Sequence, residues 1–173
     1  MRRLIIDGYN LLHSVPRYAA EADRDIDAAR QRLIADLGAR AAEGQDVIVV
    51  FDGGGNPSSD GEPRQIGGVT VIFSPAGTDA DAVIESLASR ARQECEEAEV
   101  VTSDGATRWT SLGGPVTVTR APSFARELEY DEREWRERHE APRSRATVEG
   151  RIDPATRQQL DRIAGRGDRP SRR

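Results

Sequence analysis

The sequence predicts an α/β fold with three layers, in which helices cover both faces of a central parallel sheet. Short apolar runs alternate along the chain with longer segments of helical periodicity, and this alternation is typical of a parallel sheet. The run "DVIVVF" ends in five consecutive apolar residues, as expected of a strand that is buried on both faces. Polar loops rich in Gly and Pro separate these segments.

The strands of this sheet are predicted from short runs of apolar and β-branched residues. The first run follows two arginines, and the second and third runs each end in phenylalanine before a polar loop. The fourth run, "VVT", and the fifth, "PVTVT", consist mainly of Val and Thr, which favour strands. The predicted strands are residues 4–6, 47–51, 69–73, 100–102 and 115–119.

The helices are predicted from apolar residues at helical spacing and from residues that begin or end helices. Leu11 and Leu12 follow the loop "DGYN" and indicate a short helix or turn. Gly44 is typical of the position just beyond a helix C-terminus, and Thr78 and Ser123 are suitable N-caps. The predicted long helices are residues 23–42, 79–96 and 123–139.

The chain is predicted to contain one domain, residues 1–140, followed by an Arg-rich tail, residues 141–173. The domain carries a net charge of −10, whereas the tail has nine arginines and four acids, a net charge of +5. Asp153 and Pro154 can begin one short helix over residues 155–164. The tail is a candidate RNA contact, because arginine contacts phosphate bidentately, and a solvated disordered tail is an equal alternative.

Composition argues against several classes of protein. No run approaches the roughly 18 apolar residues that a membrane span requires, and the first ten residues lack the apolar core of a secretory signal. We therefore expect a cytoplasmic protein without membrane contact. Cys95 is the only cysteine, which excludes an intrachain disulfide and a cysteine-based zinc site. Its helical spacing with Ala91 predicts a core position.

Four carboxylates stand where predicted strands end or where a helix leaves a strand. Asp7 follows the first strand, Asp52 the second and Asp104 the fourth. Asp81 lies in the first turn of the helix after the third strand. The carboxyl ends of parallel strands share one edge of a sheet, where the active crevice of such folds forms. We therefore expect these four side chains to lie close together.

A cluster of carboxylates requires a compensating charge. Two carboxylates about 4 Å apart repel each other by roughly 4 kcal/mol at a surface-like dielectric constant. A divalent cation removes this repulsion, and a set of oxygen ligands suits Mg²⁺ or Mn²⁺. A cation held in this way can activate water for attack on a phosphodiester. The pattern therefore predicts a metal-dependent nuclease.

Several motifs, in this order, resemble a known family. They are "IIDGYNLL", "FDG" after the second strand, "TDADAVIE" at a helix start and "VVTSD" after the fourth strand. The later "SFARELE" is similar to the closing helix of that family. Over about residues 2–130, the chain resembles the YacP-like branch of the NYN-domain ribonucleases, which are relatives of PIN domains.

The resemblance implies a PIN-like Rossmannoid fold, dependence on Mg²⁺ or Mn²⁺, and endoribonuclease activity, with some members acting on mRNA at the ribosome. It also implies that Asp7, Asp81 and Asp104 are the acids of the metal site.

The same resemblance assigns supporting roles to three further residues. Asn10 would position a ligand or phosphate, Asp52 would assist, and Ser103 would support the acid after the fourth strand. Asp79 remains a second candidate ligand beside the matching "DAVIE" stretch. Glu85, one helical turn further along the same face, is a candidate for a ligand that acts through water.

Each site residue also has an ordinary structural explanation. Asp7 and Asp104 each precede a glycine and can open a turn, and Asn10 can cap the short helix. Asp79 and Asp81 suit the first turn of any helix. Four such coincidences at four strand ends are less credible than one shared site.

The function predicted from the sequence is a metal-dependent endoribonuclease that binds single-stranded RNA or mRNA. Arg108, Arg120 and Arg126 are candidates to guide the RNA backbone beside aromatic residues. A protein with a net charge of −5 binds phosphate weakly, so targeting by a larger partner is expected, with the ribosome the leading candidate by resemblance alone.

Two other functions remain open. The first is a PIN-like RNA-binding module that lacks catalytic activity. The second is a small-molecule phosphohydrolase with the same metal site, which would need a closed pocket of about 300 Å³ or more rather than an open groove.

Overall fold

The computed structural model describes residues 2–54, 59–103 and 114–139. Asp104, Arg108 and the whole predicted tail therefore lie outside the described residues. Residues up to Asp131 form one compact unit, and a second unit is assigned from Glu132 onward. The predicted domain boundary at residue 140 stays a prediction.

The described strands form one six-stranded sheet that is parallel except at one edge. Its spatial order is β3-β4-β2-β1-β5-β6, and only the pairing of β3 with β4 is antiparallel. This confirms the predicted α/β fold and adds the edge strand β3. The strands are β1 (Arg3–Asp7), β2 (Asp46–Phe51), β3 (Arg64–Ile66), β4 (Val69–Phe73), β5 (Ala98–Val101) and β6 (Val116–Thr119).

Strand β1 lies in the centre of the sheet and defines the point where the strand order reverses. In the register of the sheet, Ile6 pairs with Val49 of β2 on one side and with Val101 of β5 on the other. The chain extends the sheet through β2 and β4 first, then returns to the opposite side of β1 for β5 and β6. A crevice for ligands forms at the carboxyl ends of the strands beside such a reversal.

Helices cover both faces of the sheet. Within the described ranges they are α1 (Gly8–Ser14), α2 (Pro16–Ala22), α3 (Ile26–Ala42), α4 (Ala80–Gln93) and α5 (Ala121–His139). Gly44, in the left-handed conformation at φ +91°, follows α3 as predicted. None of the helices in these ranges is long and apolar enough to cross a bilayer.

Alternating side chains of β1 divide the core into two halves. Leu4 and Ile6 pack with apolar residues of α1, α2, α3 and α5 on one face. Ile5 packs with Ile84 and other residues of α4 on the opposite face. This alternation is the expected geometry of a strand buried on both sides. The arrangement is the predicted three-layer α/β/α architecture.

The predicted helix over residues 23–42 is wrong at its N-terminal end. The helix begins at Ile26, because the Asp25 side chain accepts hydrogen bonds from the backbone N–H groups of Asp27 and Ala28. The separate helix α2 ends at Ala22, before the predicted start, and has Pro16 in its first turn.

Three other predicted helix ends also require correction. Asp79, and not Thr78, caps α4 by accepting the N–H of Ala82 at 2.7 Å. This helix ends at Gln93, so Cys95 leaves the helical periodicity and is exposed, not buried in the core, with φ +54°. Helix α5 begins at Ala121, two residues before the predicted cap Ser123.

A buried polar network joins α2 to α3. The Tyr18 hydroxyl donates a hydrogen bond to Asp36 Oδ2 at 2.6 Å and accepts one from Arg17 Nη2 at 2.7 Å. Arg17 and Asp36 also form an ion pair at 3.2 Å. Tyr18 has no exposed surface, and its burial, followed by its hydrogen bond to Asp36, raises the pKa of the phenol.

We expect Tyr18→Phe to lower the free energy of unfolding by about 1–3 kcal/mol, because Asp36 and Arg17 lose a buried partner. Urea denaturation measures this change. Tyr130→Phe is the control, since Tyr130 is 60% exposed, and it should change the free energy by less than about 0.5 kcal/mol. Equal losses in the two variants would show that the network contributes nothing.

The same pair of variants tests the pKa shift of Tyr18. In the unfolded chain a tyrosine ionises near pH 10, but the folded protein keeps Tyr18 protonated at higher pH. The folded state then binds more protons than the unfolded state, so its stability falls as the pH rises above about 10. This fall should be smaller in Tyr18→Phe than in Tyr130→Phe.

Candidate active site

A cavity of about 450 Å³ opens at the carboxyl ends of the strands, and we call it the acidic pocket. Four of the predicted site acids and the predicted Asn10 line it. These residues come from β1, α1, the end of β2 and the start of α4. Its lining residues are Asp7, Tyr9, Asn10, His13, Ser14, Asp52, Asp79, Ala80 and Asp81. Among the residues that the structure describes, no Lys or Arg lines this cavity.

Asp7 both begins a helix and lines the acidic pocket. It is the last residue of β1 and the N-cap of α1, where its Oδ1 accepts the N–H of Asn10 at 3.0 Å. The capping bond uses one face of the carboxylate and holds the side chain at the sheet edge. Asp7 is therefore a helix cap and also a residue of the candidate site.

Gly8 allows α1 to start directly against the core. A Cβ atom at this position would lie 2.3 Å from Cε1 of Phe51, the last residue of β2. No side chain fits this space without displacing the ring. The close approach keeps the first turn of α1, and with it Asn10, at the carboxyl end of the sheet.

Asn10 joins α1 to the end of β5. Its Oδ1 accepts the backbone N–H of Ser103 at 2.9 Å and lies 3.5 Å from the hydroxyl of Ser14. The hydroxyl groups of Ser14 and Ser103 are also 3.5 Å apart. The alternative that Asn10 caps α1 is wrong, since Asp7 is the cap. Asn10 instead fixes the backbone at Ser103, the residue before Asp104 in the sequence.

Ser74 positions Asp52 and was missed by the sequence analysis. Asp52 is exposed after β2, and its Oδ1 accepts the N–H of Gly54 at 2.8 Å and lies 3.5 Å from the Ser74 hydroxyl. Ser74 is fully buried, and its hydroxyl accepts the N–H of Gly53 at 2.8 Å. Ser74 directly follows β4, so a search of strand ends for polar residues of any kind would have found it.

The two acids at the start of α4 both face the acidic pocket. Asp79 uses its side chain to cap the helix, while Asp81 is partly exposed within the first turn. Glu85 is exposed and does not line the cavity, and neither do the exposed residues Arg120 and Arg126. The predicted roles of these last three residues stay predictions.

The chemistry of the acidic pocket fits a hard divalent cation. Carboxylates and the Asn10 amide supply oxygen atoms, which Mg²⁺ and Mn²⁺ prefer. Within residues 2–54, 59–103 and 114–139, no three acid, His or Cys side chains are close enough to hold one ion together. Asp104, the third predicted acid of the metal site, lies outside those ranges.

A second cavity of about 450 Å³ shares Tyr9 and Asp52 with the acidic pocket, and we call it the arginine pocket. Neither of its two arginines was predicted from the sequence. Arg30 is one of several arginines on α3, and Arg64 lies on the unpredicted strand β3. The lining residues are Tyr9, Arg30, Asp52, Gly53, Gly54, Ser59, Arg64 and Phe73.

Comparison with known proteins identifies the family. The profile of the YacP-like NYN domain matches residues 4–165, nearly the whole chain. The chain belongs to this family. No curated protein matches this YacP-like chain.

Two solved structures resemble this YacP-like NYN domain over almost their full length. A crystal structure of Rae1 (YacP) from Bacillus subtilis is 26% identical, with a TM-score of 0.62 and coverage of 99% of each chain. A mutant form of the same protein is 27% identical, with a TM-score of 0.67, and covers 94% of this chain and 99% of that one. The predicted family is thereby confirmed.

Membership of the YacP-like NYN family gives the protein a nuclease-type function related to RNA. Nucleases of the NYN and PIN-like type generally use divalent metals. The position of the acidic pocket, at the sheet edge beside the reversal of strand order, is where such a site is expected in this fold.

We expect Asn10→Ala to release the backbone at the end of β5. Loss of one hydrogen bond of about 1 kcal/mol should raise the amide exchange rate of Ser103 by roughly fivefold. Hydrogen exchange measured by NMR reports this rate. Asn10→Asp keeps an acceptor oxygen and should preserve the protection. Unchanged exchange in the alanine variant would contradict the assigned role of Asn10.

Proposed function

We propose that this YacP-like NYN domain is an endoribonuclease that hydrolyses RNA phosphodiesters with the help of Mg²⁺ or Mn²⁺. The observation that carries this proposal is the acidic pocket, where four carboxylates from distant parts of the sequence line one cavity. Structural needs alone do not explain this convergence, because helix caps and turns do not require acids to share a cavity.

Within this proposal, Asp7, Asp81 and Asp104 hold the cation. When bound, the cation supplies an activated water and stabilises the departing oxygen. Asp7 is oriented at the edge of the sheet by its capping bond to the Asn10 N–H. Asn10 fixes the backbone at Ser103 and thereby the start of the segment that carries Asp104.

Asp52 and Asp79 have assisting roles in the same proposal. Both line the acidic pocket, and both already accept one backbone hydrogen bond, from Gly54 and Ala82 respectively. Their negative charges strengthen the attraction for a cation without requiring direct contact. Ser74 keeps Asp52 at the edge of the cavity.

The shape of the site favours a polymer over a small phosphorylated substrate. The acidic pocket is open to solvent, and it adjoins the arginine pocket through Tyr9 and Asp52. A small-molecule phosphohydrolase would enclose its substrate in one cavity. Two adjoining open cavities suit a strand that continues beyond the reacting phosphate.

We propose mRNA as the substrate, reached in the cytoplasm and in association with the ribosome. The proposed mRNA substrate, cytoplasmic location and ribosome association rest on the family resemblance and on the net charge of the chain. The net charge of −5 makes strong binding to free RNA unfavourable, so a larger partner would supply the contact that holds the substrate.

We expect Asp81→Asn to lower the rate of RNA cleavage by about 100-fold or more, because a ligand of the cation is lost. Cleavage of a labelled structured mRNA in Mn²⁺ measures this rate. Glu129→Gln removes the same charge from an exposed position on α5 that lines neither cavity, and it should keep most of the activity. Equal activity in wild type and Asp81→Asn would leave the inactive RNA-binding module as the better explanation.

A pair of variants at Asp7 separates its charge from its capping role. Asparagine caps helices as well as aspartate does, so Asp7→Asn should keep the thermal stability of the protein and lose cleavage. Asp7→Ala should lose both, with a destabilisation of about 1 kcal/mol. Full activity in Asp7→Asn would exclude this carboxylate from the metal site.

Removal of the metal is a separate test with a readout other than activity. We expect EDTA to abolish cleavage and added Mg²⁺ or Mn²⁺ to restore it. Electron paramagnetic resonance of Mn²⁺ should show binding to the wild-type chain that is at least about tenfold weaker in Asp81→Asn. Cleavage that persists in EDTA would contradict the proposed dependence on a metal.

A further inference from the structure

The arginine pocket supplies the positive charge that the acidic pocket lacks. Four carboxylates line the acidic pocket, whereas the adjoining cavity contains two guanidinium groups and two partly exposed aromatic rings. Without a bound cation, the carboxylates of the acidic pocket repel the phosphates of an RNA strand. A neighbouring cationic surface attracts the part of the strand that lies outside the acidic pocket.

Arg30 is held in place by aromatic rings. Its guanidinium carbon lies 5.1 Å from the ring centroid of Tyr9, 5.8 Å from that of Phe51 and 5.6 Å from that of Phe73. It also donates a hydrogen bond to the Tyr9 hydroxyl and forms an ion pair with Asp27. Arginine stacked in this way is immobilised before any ligand arrives, which lowers the entropic cost of binding.

The charge of Arg30 is incompletely compensated. Its Nε atom is buried and has no hydrogen-bond partner within the described part of the chain. Its carboxylate partner, Asp27, is itself 74% exposed and so is well screened by water. Burial lowers the pKa of the guanidinium, whose ordinary value is high enough to keep it charged. A phosphate would supply the missing compensation.

Arg64 adds a second, more exposed cation from strand β3. Its side chain is 51% exposed and pairs with Asp60, four residues earlier, at 2.8 Å. Exposed ion pairs of this kind are weak because water screens them, so a phosphate can compete with Asp60 for the guanidinium.

In the described part of the glycine loop, the backbone N–H groups of Gly53 and Gly54 already have partners within the protein. The N–H of Gly53 donates to the Ser74 hydroxyl and that of Gly54 donates to Asp52. A Cβ atom on Gly53 would lie 2.2 Å from the carbonyl oxygen of Ser74 and 2.8 Å from the Ser59 hydroxyl, so only glycine fits here. Recognition of an anion therefore falls to the arginines.

We propose that the arginine pocket binds the nucleotide adjacent to the cleaved phosphodiester in single-stranded RNA. Arg30 and Arg64 contact its phosphate, and the partly exposed rings of Tyr9 and Phe73 provide apolar surface for its base. An unpaired base is needed, because a base within a duplex cannot present its face to a side chain. That the phosphodiester next to this nucleotide is the one that is cleaved rests on the proposed function.

The test measures RNA binding in EDTA, where the proposed cleavage does not occur. The probe is a fluorescein-labelled oligouridylate of about 12 nucleotides, followed by fluorescence anisotropy. Arg64→Ala should weaken binding by about threefold to tenfold and reduce the slope of log Kd against log salt by about 1. Arg30→Met should weaken RNA binding by at least as much as Arg64→Ala, and Arg30→Lys should weaken it by less.

Arg32→Ala is the matched control. Arg32 lies on the same helix as Arg30, is 49% exposed, pairs with Glu21 and lines neither cavity. The Arg32→Ala substitution removes one positive charge, as the Arg64→Ala substitution does. It should leave the RNA affinity and the salt slope near their wild-type values. If Arg30→Met does not fold, as judged by circular dichroism, Arg64→Ala alone decides the outcome, because Arg64 is exposed on a sheet edge.

Three outcomes would overturn the proposal. They are binding by Arg64→Ala equal to that of Arg32→Ala, an unchanged salt slope, or equal losses for the oligouridylate and for an RNA duplex of the same length. The result is independent of catalysis. If the nuclease proposal fails, wild type does not cleave RNA but the arginine variants still lose affinity; if only the arginine pocket fails, cleavage persists and these variants bind normally.

Discussion

The parallel pairing of β1 with β2 on one side and β5 on the other is the constraint on which the site depends. The pairing fixes the register of three strands whose carboxyl ends share one edge. Because β1 is buried on both faces, a shift of one residue would move Leu4 and Ile6 from one half of the core to the other. The hydrophobic pattern that stabilises the fold therefore also sets the position of Asp7.

The acids of the site are also part of the local structure. Asp7 and Asp79 cap helices, and Asp52 accepts a hydrogen bond within its own loop. Each bond satisfies a backbone N–H that would otherwise lack a partner and holds the carboxylate in one orientation. Orientation before binding reduces the entropy lost when a ligand arrives. Stability and function are therefore combined in single residues rather than divided between separate ones.

Sequence reasoning found the central features because they depend on strong local patterns. Apolar runs located five of the six described strands, and the strand-end rule placed Asp7, Asp52 and Asp81 at one cavity. The rule was applied only to acids, so it passed over the buried Ser74 at the end of β4. The "GG" pair between Ile66 and Val69, a typical hairpin turn with both φ values positive, was also overlooked.

Other features could not be read from spacing. Three aromatic rings surround Arg30 only because α1 begins where β2 and β4 end in the folded chain. The short break between α2 and α3 depends on competition between the two capping bonds at Asp25 and a continuous helix. Tertiary packing decides between such alternatives, and the spacing of apolar residues along the sequence carries no information about that packing.

Strand β3 has a consequence for the solubility of the protein as well as for its site. It is only three residues long, all of them exposed, and it carries the charged Arg64 and polar Gln65. By pairing with β4, it replaces a mainly apolar border of five residues with a border of three residues, two of them polar or charged. A border of that length offers little template for intermolecular β-pairing, so this margin of the sheet is protected against aggregation.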